Sequence, residues 1–157
     1  CGEMLLSKPF LEKGAFVKGI DMKEPSKIPK GAVFVKGNIL QEDFNKDEDK
    51  DDDKSYDLIL SSLILHLFKK QHINKIISKM KDSTFKHGYN FLILLSNKDS
   101  LSSSERQEKF FPSLEEISQF YPGWKTIKVL QDETQAEQHG NLPQHTHNLI
   151  FVIFQKK

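Results

Sequence analysis

Histidines are the residues of this chain best suited to moving a proton, because imidazole titrates near neutral pH. His66 lies among leucines just after an apolar run, and His139, His145 and His147 lie close together near the C-terminus. This C-terminal cluster has three interpretations: the lining of a substrate pocket, a plain structural loop, or a zinc or nickel site. No third metal ligand stands at a convincing spacing, so no metal is predicted. His66, His145 and His147 are the candidate catalytic residues, and a core or boundary histidine is the alternative for His66.

Composition limits the class of protein. The chain has 157 residues, enough for one domain with a real core. The net charge of +1 gives no reason to expect a nucleic-acid or membrane partner, and no apolar run is long enough to span a bilayer. The single cysteine excludes an intramolecular disulfide framework. We expect a cytoplasmic protein; the sequence leaves its oligomeric state open.

Residues 55–97 predict the elements that position these side chains. An apolar strand, Tyr56–Leu60, passes through two serines into an amphipathic helix, which we expect Gly88 to close, and a second strand follows at Tyr89–Leu95. Strand, helix and strand with nearly continuous apolar strands indicate a parallel α/β sheet. The core-facing stripe of the helix consists of Ile73, Ile76, Ile77 and Met80.

The same segment resembles a known family. Tyr-Asp-Leu-Ile, then small residues, then Leu-His-Leu-Phe resembles the fourth strand and following helix of class I S-adenosylmethionine (SAM) methyltransferases, and most of all the tellurite-resistance methyltransferase family. The C-terminal third is similar to that family too, with a capping box at Ser113 to Glu116, then Tyr121 to Trp124 and a strand at Thr126–Gln131. The resemblance implies a Rossmann-like α/β fold, mostly parallel, with an antiparallel C-terminal edge strand at Asn148–Phe154.

The N-terminal segment is similar to the first motif of this superfamily. There, a strand ends in Asp-Leu-Gly-Cys-Gly-Glu-Gly, a helix follows, and the next strand ends in an acidic residue. Cys1-Gly2-Glu3 and Val17–Asp21 fit that spacing, with Pro9 inside the expected helix. We therefore expect residues 1–157 to form a single methyltransferase-like domain that is incomplete at its N-terminus.

The resemblance also implies a set of cofactor-binding residues. Glycines let the backbone approach the cofactor, the acidic residue accepts hydrogen bonds from ribose hydroxyls, and the end of the next strand meets adenine. Two positions depart from the family, with Met4 in place of a glycine and Asn38 in place of an aspartate. The cofactor-binding residues that the resemblance implies are Gly2, Glu3, Asp21, Met22, Asn38, Ile39 and Ser61.

Two further segments have a distinctive composition. Residues 22–31 contain Pro25 and Pro29, so we expect an extended link to the strand Ala32–Lys36 instead of a helix. Ribosomal-RNA 2′-O-methyltransferases have a similar short link, but Ser61 and Ser62 stand where their catalytic aspartate is expected. The run at 45–54, NKDEDKDDDK, predicts a charged surface insertion.

The reaction that the resemblance implies is methyl transfer from SAM to a small soft nucleophile, a thiol, selenium or tellurium species. Such a transfer depends mainly on aligning the reacting atoms, so no catalytic triad is required. The alternative is a non-catalytic methyltransferase-like remnant or interaction module. Met4, Asn38 and the absence of a helix after Asp21 favour that alternative.

Overall fold

The computed structural model describes residues 2–42, 44, 55–100, 108–136 and 144–157. Cys1, the predicted insertion at 45–54 and His139 lie outside these described residues. The chain divides into two compact units, residues 1–43 and residues 44–157. The expectation of one domain stays a prediction.

The N-terminal unit contains two short helices and two parallel strands. A 3₁₀ turn at Leu5–Ser7 leads into α1 (Lys8–Leu11), and the strands β1 (Val17–Asp21) and β2 (Ala32–Lys36) pair in parallel. Pro9 lies in the first turn of α1, where its missing N–H costs no hydrogen bond. Residues 22–31 contain no helix, which confirms the predicted extended link.

The C-terminal unit is built on a four-stranded mixed sheet. Its strands are β3 (Tyr56–Ser62), β4 (Thr84–Leu95), β5 (Lys125–Glu133) and β6 (Asn148–Gln155), and its helices are α2 (Lys70–Asp82) and α3 (Leu114–Gln119). The strand order is β3-β4-β6-β5; β3 and β4 are parallel, and β6 is antiparallel to both neighbours. The predicted antiparallel pairing of the last two strands is confirmed. The expected edge position of the C-terminal strand was wrong, because β6 lies between β4 and β5. The two edge strands of this described sheet are β3 and β5.

The two helices of this unit follow the sequence pattern. The predicted stripe of α2 is buried, with side chains no more than 2% exposed at Ile73, Ile76, Ile77 and Met80. The Ser113 hydroxyl caps α3 by accepting from the Glu116 N–H at 3.1 Å, as the capping box predicts. No helix in the described part of the chain has the length and apolar character needed to cross a membrane.

Gly88 does not close α2, so that prediction was wrong. The helix ends at Asp82, where the Ser83 N–H donates to the Lys79 carbonyl, and β4 begins at Thr84. The register of β3 and β4 shifts before Leu58, and His87 takes a left-handed φ of 67° beside Gly88. A Cβ on Gly88 would lie 2.9 Å from the Thr84 side chain, so the glycine serves close strand packing.

A buried polar chain joins α2, β4 and the end of α3. Thr84 Oγ1 donates to the Met80 carbonyl at 2.6 Å and accepts from Asn90 Nδ2 at 2.7 Å. The Tyr121 hydroxyl donates to Asn90 Oδ1 at 3.0 Å, and its ring stacks on Phe154 with centroids 4.1 Å apart. Burial raises the pKa of Tyr121, so the hydroxyl stays a donor. The buried side chains of Thr84, Asn90 and Tyr121 thus satisfy one another, as a stable core requires.

We expect Tyr121→Phe to lower the free energy of unfolding by about 1–3 kcal/mol, because it leaves the buried Asn90 oxygen without its donor while keeping the ring stack. Urea denaturation measures the change. Tyr89→Phe is the control, since Tyr89 is 38% exposed and its hydroxyl accepts an exposed hydrogen bond from Gln155 Nε2. Equal stability of Tyr121→Phe and the wild type would contradict a role for this bond.

Candidate functional site

The first motif keeps a glycine-like backbone at both of its key positions. Gly2 has a φ of 53°, and Met4, which replaces the family's glycine, has a φ of 55°. The left-handed region favours glycine, so this conformation is strained at Met4. The Met4 side chain is only 4% exposed, and its carbonyl accepts from the Ser7 N–H and hydroxyl. Burial of the methionine and these bonds hold the backbone where glycine would place it.

Asp21 ends β1 and is bound by the backbone on both sides. The Gly2 N–H donates to Asp21 Oδ2 at 2.9 Å and the Lys23 N–H donates to Oδ1 at 3.1 Å. Partial burial raises the pKa of Asp21, but hydrogen bonds that include these two outweigh it and hold the pKa well below its usual range. Asp21 is therefore an ionised hydrogen-bond acceptor at the carboxyl end of β1.

Glu3 and Met22 have different surroundings. The Glu3 carboxylate accepts from the Ser26 hydroxyl at 2.5 Å and the Ser26 N–H at 2.8 Å, which lowers its pKa and ties the link after β1 to the motif. Met22 is 67% exposed. Glu3 therefore forms structural hydrogen bonds with Ser26, whereas most of the Met22 side chain is exposed to solvent.

Asn38 follows β2 and lies beside the end of β1. The Gly37 N–H donates to the Asp21 carbonyl at 2.9 Å, so the carboxyl ends of both strands meet. Asn38 Oδ1 accepts from the Leu40 N–H at 3.0 Å, and Ile39 is half-buried. The structure thus brings Gly2, Asp21 and Asn38 to one edge of the small sheet. The binding roles of these residues stay predictions.

Ser61 and His66 lie at the carboxyl end of β3. Ser61 is 8% exposed, and its hydroxyl has no hydrogen-bond partner among the described residues. Leu63, just past the strand, takes a left-handed φ of 49° and turns the chain towards the 3₁₀ helix Leu65–Leu67. The His66 ring packs on Phe111, with centroids 5.9 Å apart. A buried, unsatisfied hydroxyl beside a strained turn is typical of a ligand-binding strand end.

His147 is held by a buried carboxylate that sequence reasoning missed. The Asp99 side chain is fully buried, and its Oδ2 lies 3.0 Å from His147 Nδ1 and accepts from the Asn148 N–H at 2.9 Å. The His147 ring is 11% exposed, and the His145 ring meets it edge-on with centroids 4.8 Å apart. Since a carboxylate only accepts, His147 Nδ1 carries the hydrogen and Nε2 keeps the lone pair of the neutral ring.

Backbone hydrogen bonds fix the two segments that carry Asp99 and His147. The Ser96 N–H donates to the Asn148 carbonyl at 2.8 Å, and the Asp99 N–H donates to the Ser96 carbonyl at 3.1 Å. The His147 N–H donates to Thr134 Oγ1, and its carbonyl accepts from the Thr134 N–H, both at 2.9 Å. The pair therefore lies at the carboxyl end of β4. His66 packs on Phe111, which belongs to a buried cluster with Leu95 and Leu149.

The metal interpretation of the histidines gains no support from the part of the chain that the structure describes. There, no three side chains of the histidine, cysteine, aspartate or glutamate type come together as metal ligands would. His145 and His147 do approach each other, but the neighbour of His147 is a single carboxylate, that of Asp99.

The fold and one family match identify the class of this protein. The chain has the Rossmann-like α/β fold of class I SAM-dependent methyltransferases. It belongs to the family described as tellurite resistance protein TehB, which matches residues 35–148 and confirms the predicted resemblance. A search of the curated proteins by sequence gives no match to this chain.

Solved structures share the fold at low sequence identity. TehB from Haemophilus influenzae is 18% identical, with a TM-score of 0.59, over 80% of this chain and 41% of that one. A SAM-dependent methyltransferase from Methanosarcina mazei is 12% identical, with a TM-score of 0.70, over 99% and 89%. The 1,6-didemethyltoxoflavin-N1-methyltransferase from Burkholderia thailandensis, bound to 1,6-didemethyltoxoflavin and S-adenosylhomocysteine, is 12% identical, with a TM-score of 0.67, over 96% and 65%. The chain thus spans less than half of the Haemophilus protein.

We expect the neutral His147 ring to carry its hydrogen on Nδ1, because Asp99 offers only an acceptor there. Long-range ¹H–¹⁵N NMR distinguishes the two tautomers of each histidine. Asp99→Ala should abolish the preference of His147 for the Nδ1–H tautomer. The exposed His87 is the internal control, and its signal should not change. A wild-type His147 signal typical of the Nε2–H tautomer would contradict this assignment.

Proposed function

We propose that this protein is a SAM-dependent methyltransferase that acts on a small soft nucleophile. The observation that carries the proposal is the strand-end cluster of the N-terminal unit, where Gly2, Asp21 and Asn38 meet at the carboxyl ends of two parallel strands. Membership of the TehB family supports it. A cytoplasmic location remains an expectation.

Three features of the described residues fit an adenosyl ligand. A Cβ on Gly2 would meet no atom within 4 Å, so there is open space in front of its backbone. Asp21 is an ionised carboxylate at a strand end, the type of acceptor that ribose hydroxyls pair with in nucleotide sites. In the other unit, the buried Ser61 hydroxyl lacks a partner among the described residues, as a group that serves a ligand would. Glu3, Met22, Asn38 and Ile39 complete the proposed binding set.

Each of these residues would have a simple task. Asp21 would orient the ribose, and Asn38 would offer its side-chain amide to the adenine edge in place of the family's carboxylate. The ligand, when bound, supplies a methyl group activated by a sulfonium centre. The chain itself then contributes mainly position and orientation, which are worth a large share of the barrier in such transfers.

The histidines are proposed to serve the methyl acceptor. His147 Nε2 carries the lone pair, so it can take a proton from a thiol or a similar acid as the nucleophile forms, while Asp99 stabilises the resulting imidazolium. His145 and His66 are proposed to line the same region of the C-terminal unit. Thiol, selenium and tellurium acceptors fit this arrangement because each becomes a better nucleophile when it loses a proton.

We expect Asp21→Ala to weaken binding of S-adenosylhomocysteine by about 10- to 100-fold, because two charge-assisted hydrogen bonds are lost. Isothermal titration calorimetry measures the change. Glu24→Gln removes an exposed acidic group in the same link and should bind like the wild type. No heat from the wild-type protein with millimolar ligand would refute the enzyme proposal and favour the non-catalytic alternative.

We expect His147→Ala to slow methyl transfer by about 10²-fold, since the acceptor loses its base, while affinity for S-adenosylhomocysteine stays nearly unchanged. Transfer to a small thiol, followed by mass spectrometry of the methylated product, measures the rate. His145→Ala should also slow it, and His87→Ala, on an exposed strand position, is the control. Wild-type rates in both variants would leave these histidines with a structural role only.

A further inference from the structure

One edge strand of the large sheet, β5, is exposed along its whole length. All nine residues of β5 are exposed, including Ile127 at 42%, Val129 at 38% and Leu130 at 47%. Within the described residues β5 pairs only with β6, so its other edge has no strand beside it. A long edge strand with exposed apolar side chains is a template for pairing with another strand.

The register identifies which backbone groups point outwards. Beyond the end of β5, the Thr134 N–H donates to the His147 carbonyl, and the pairing Glu133 with Asn148 continues the same antiparallel register. In an antiparallel ladder alternate residues bond to the same neighbour. Lys128, Leu130 and Asp132 therefore bond towards β6, whereas Val129, Gln131 and Glu133 direct their N–H and C=O groups away from the sheet.

The side chains of β5 are complementary to a copy of the same strand. Lys128, Leu130 and Asp132 lie on one face at two-residue spacing, past the register shift between Thr126 and Lys128. In an antiparallel pair centred on Leu130, each Lys128 stands opposite the Asp132 of the other copy, and the two leucines face each other. Opposite charges directly across a ladder stabilise it, and a parallel pairing in register would set lysine against lysine.

We propose that β5 pairs antiparallel with β5 of a second copy of this chain, about a two-fold axis at Leu130. The interface is isologous, so the same patch serves both copies and the assembly closes as a dimer. The outward groups of Val129 and Gln131 supply the ladder hydrogen bonds. The contact extends the four-stranded sheet into a continuous eight-stranded one.

Charge reversal tests this pairing. Each substitution alters both symmetric pairs, so Lys128→Glu and Asp132→Lys should each weaken dimerisation by about tenfold or more. Analytical ultracentrifugation of the full chain over a concentration series measures the constant. The double variant Lys128→Glu with Asp132→Lys restores opposite charges, so its dimerisation constant should return to within about threefold of the wild-type value. Lys125→Glu makes the same charge change outside the pairs and is the control.

A backbone variant tests the ladder independently. Gln131→Pro removes an outward N–H and leaves the bonds to β6 intact, so it should abolish dimerisation with little change in the melting temperature, while Gln131→Ala should not. A wild-type protein that stays monomeric at several hundred micromolar overturns the proposal. So does a dimer that is indifferent to charge reversal and to Gln131→Pro, because it would then use another surface.

Discussion

Parallel strand pairing is the constraint on which the candidate site depends. Parallel strands end at the same edge of a sheet, so residues far apart in the sequence meet there. In the N-terminal unit this brings Asp21 beside Asn38. In the C-terminal unit Ser61, near the end of β3, pairs with Leu92, near the end of β4. The chemistry available at each edge follows from which side chains end these strands. The proposed function therefore rests on strand ends and not on a catalytic motif.

Buried polar bonds then fix the loops that follow the strands. The Asp99 carboxylate is fully buried, and such a group is stable only when donors surround it. His147 Nδ1 and the Asn148 N–H satisfy one of its oxygens, which ties the turn after β4 to the start of β6. The hydrogen bonds from Thr84 through Asn90 to Tyr121 likewise tie β4 to the segment that follows α3.

Local patterns in the sequence were enough to predict much of the fold. The 3.6-residue spacing of Ile73, Ile76, Ile77 and Met80 defines a buried helix face, and the two prolines before Ala32 exclude a helix in the link. The prediction that Gly88 ends α2 was wrong because a glycine can either end a helix or permit close strand packing. The sequence alone does not distinguish these two roles. Asp99 was missed because its partner lies 48 residues away, a pairing with no local signal. The left-handed backbone of Met4 was equally hidden, since burial of its side chain decides it.

The most direct test of the central claim is to map ligand binding residue by residue. Titration of ¹⁵N-labelled protein with S-adenosylhomocysteine should shift the amide signals of Gly2, Asp21 and Asn38 first. The signals of exposed residues such as Glu12 and Lys27 should stay in place. This outcome would place the adenosyl group at the carboxyl ends of β1 and β2. Unchanged spectra at millimolar ligand, or shifts confined to residues away from these strand ends, would contradict the account.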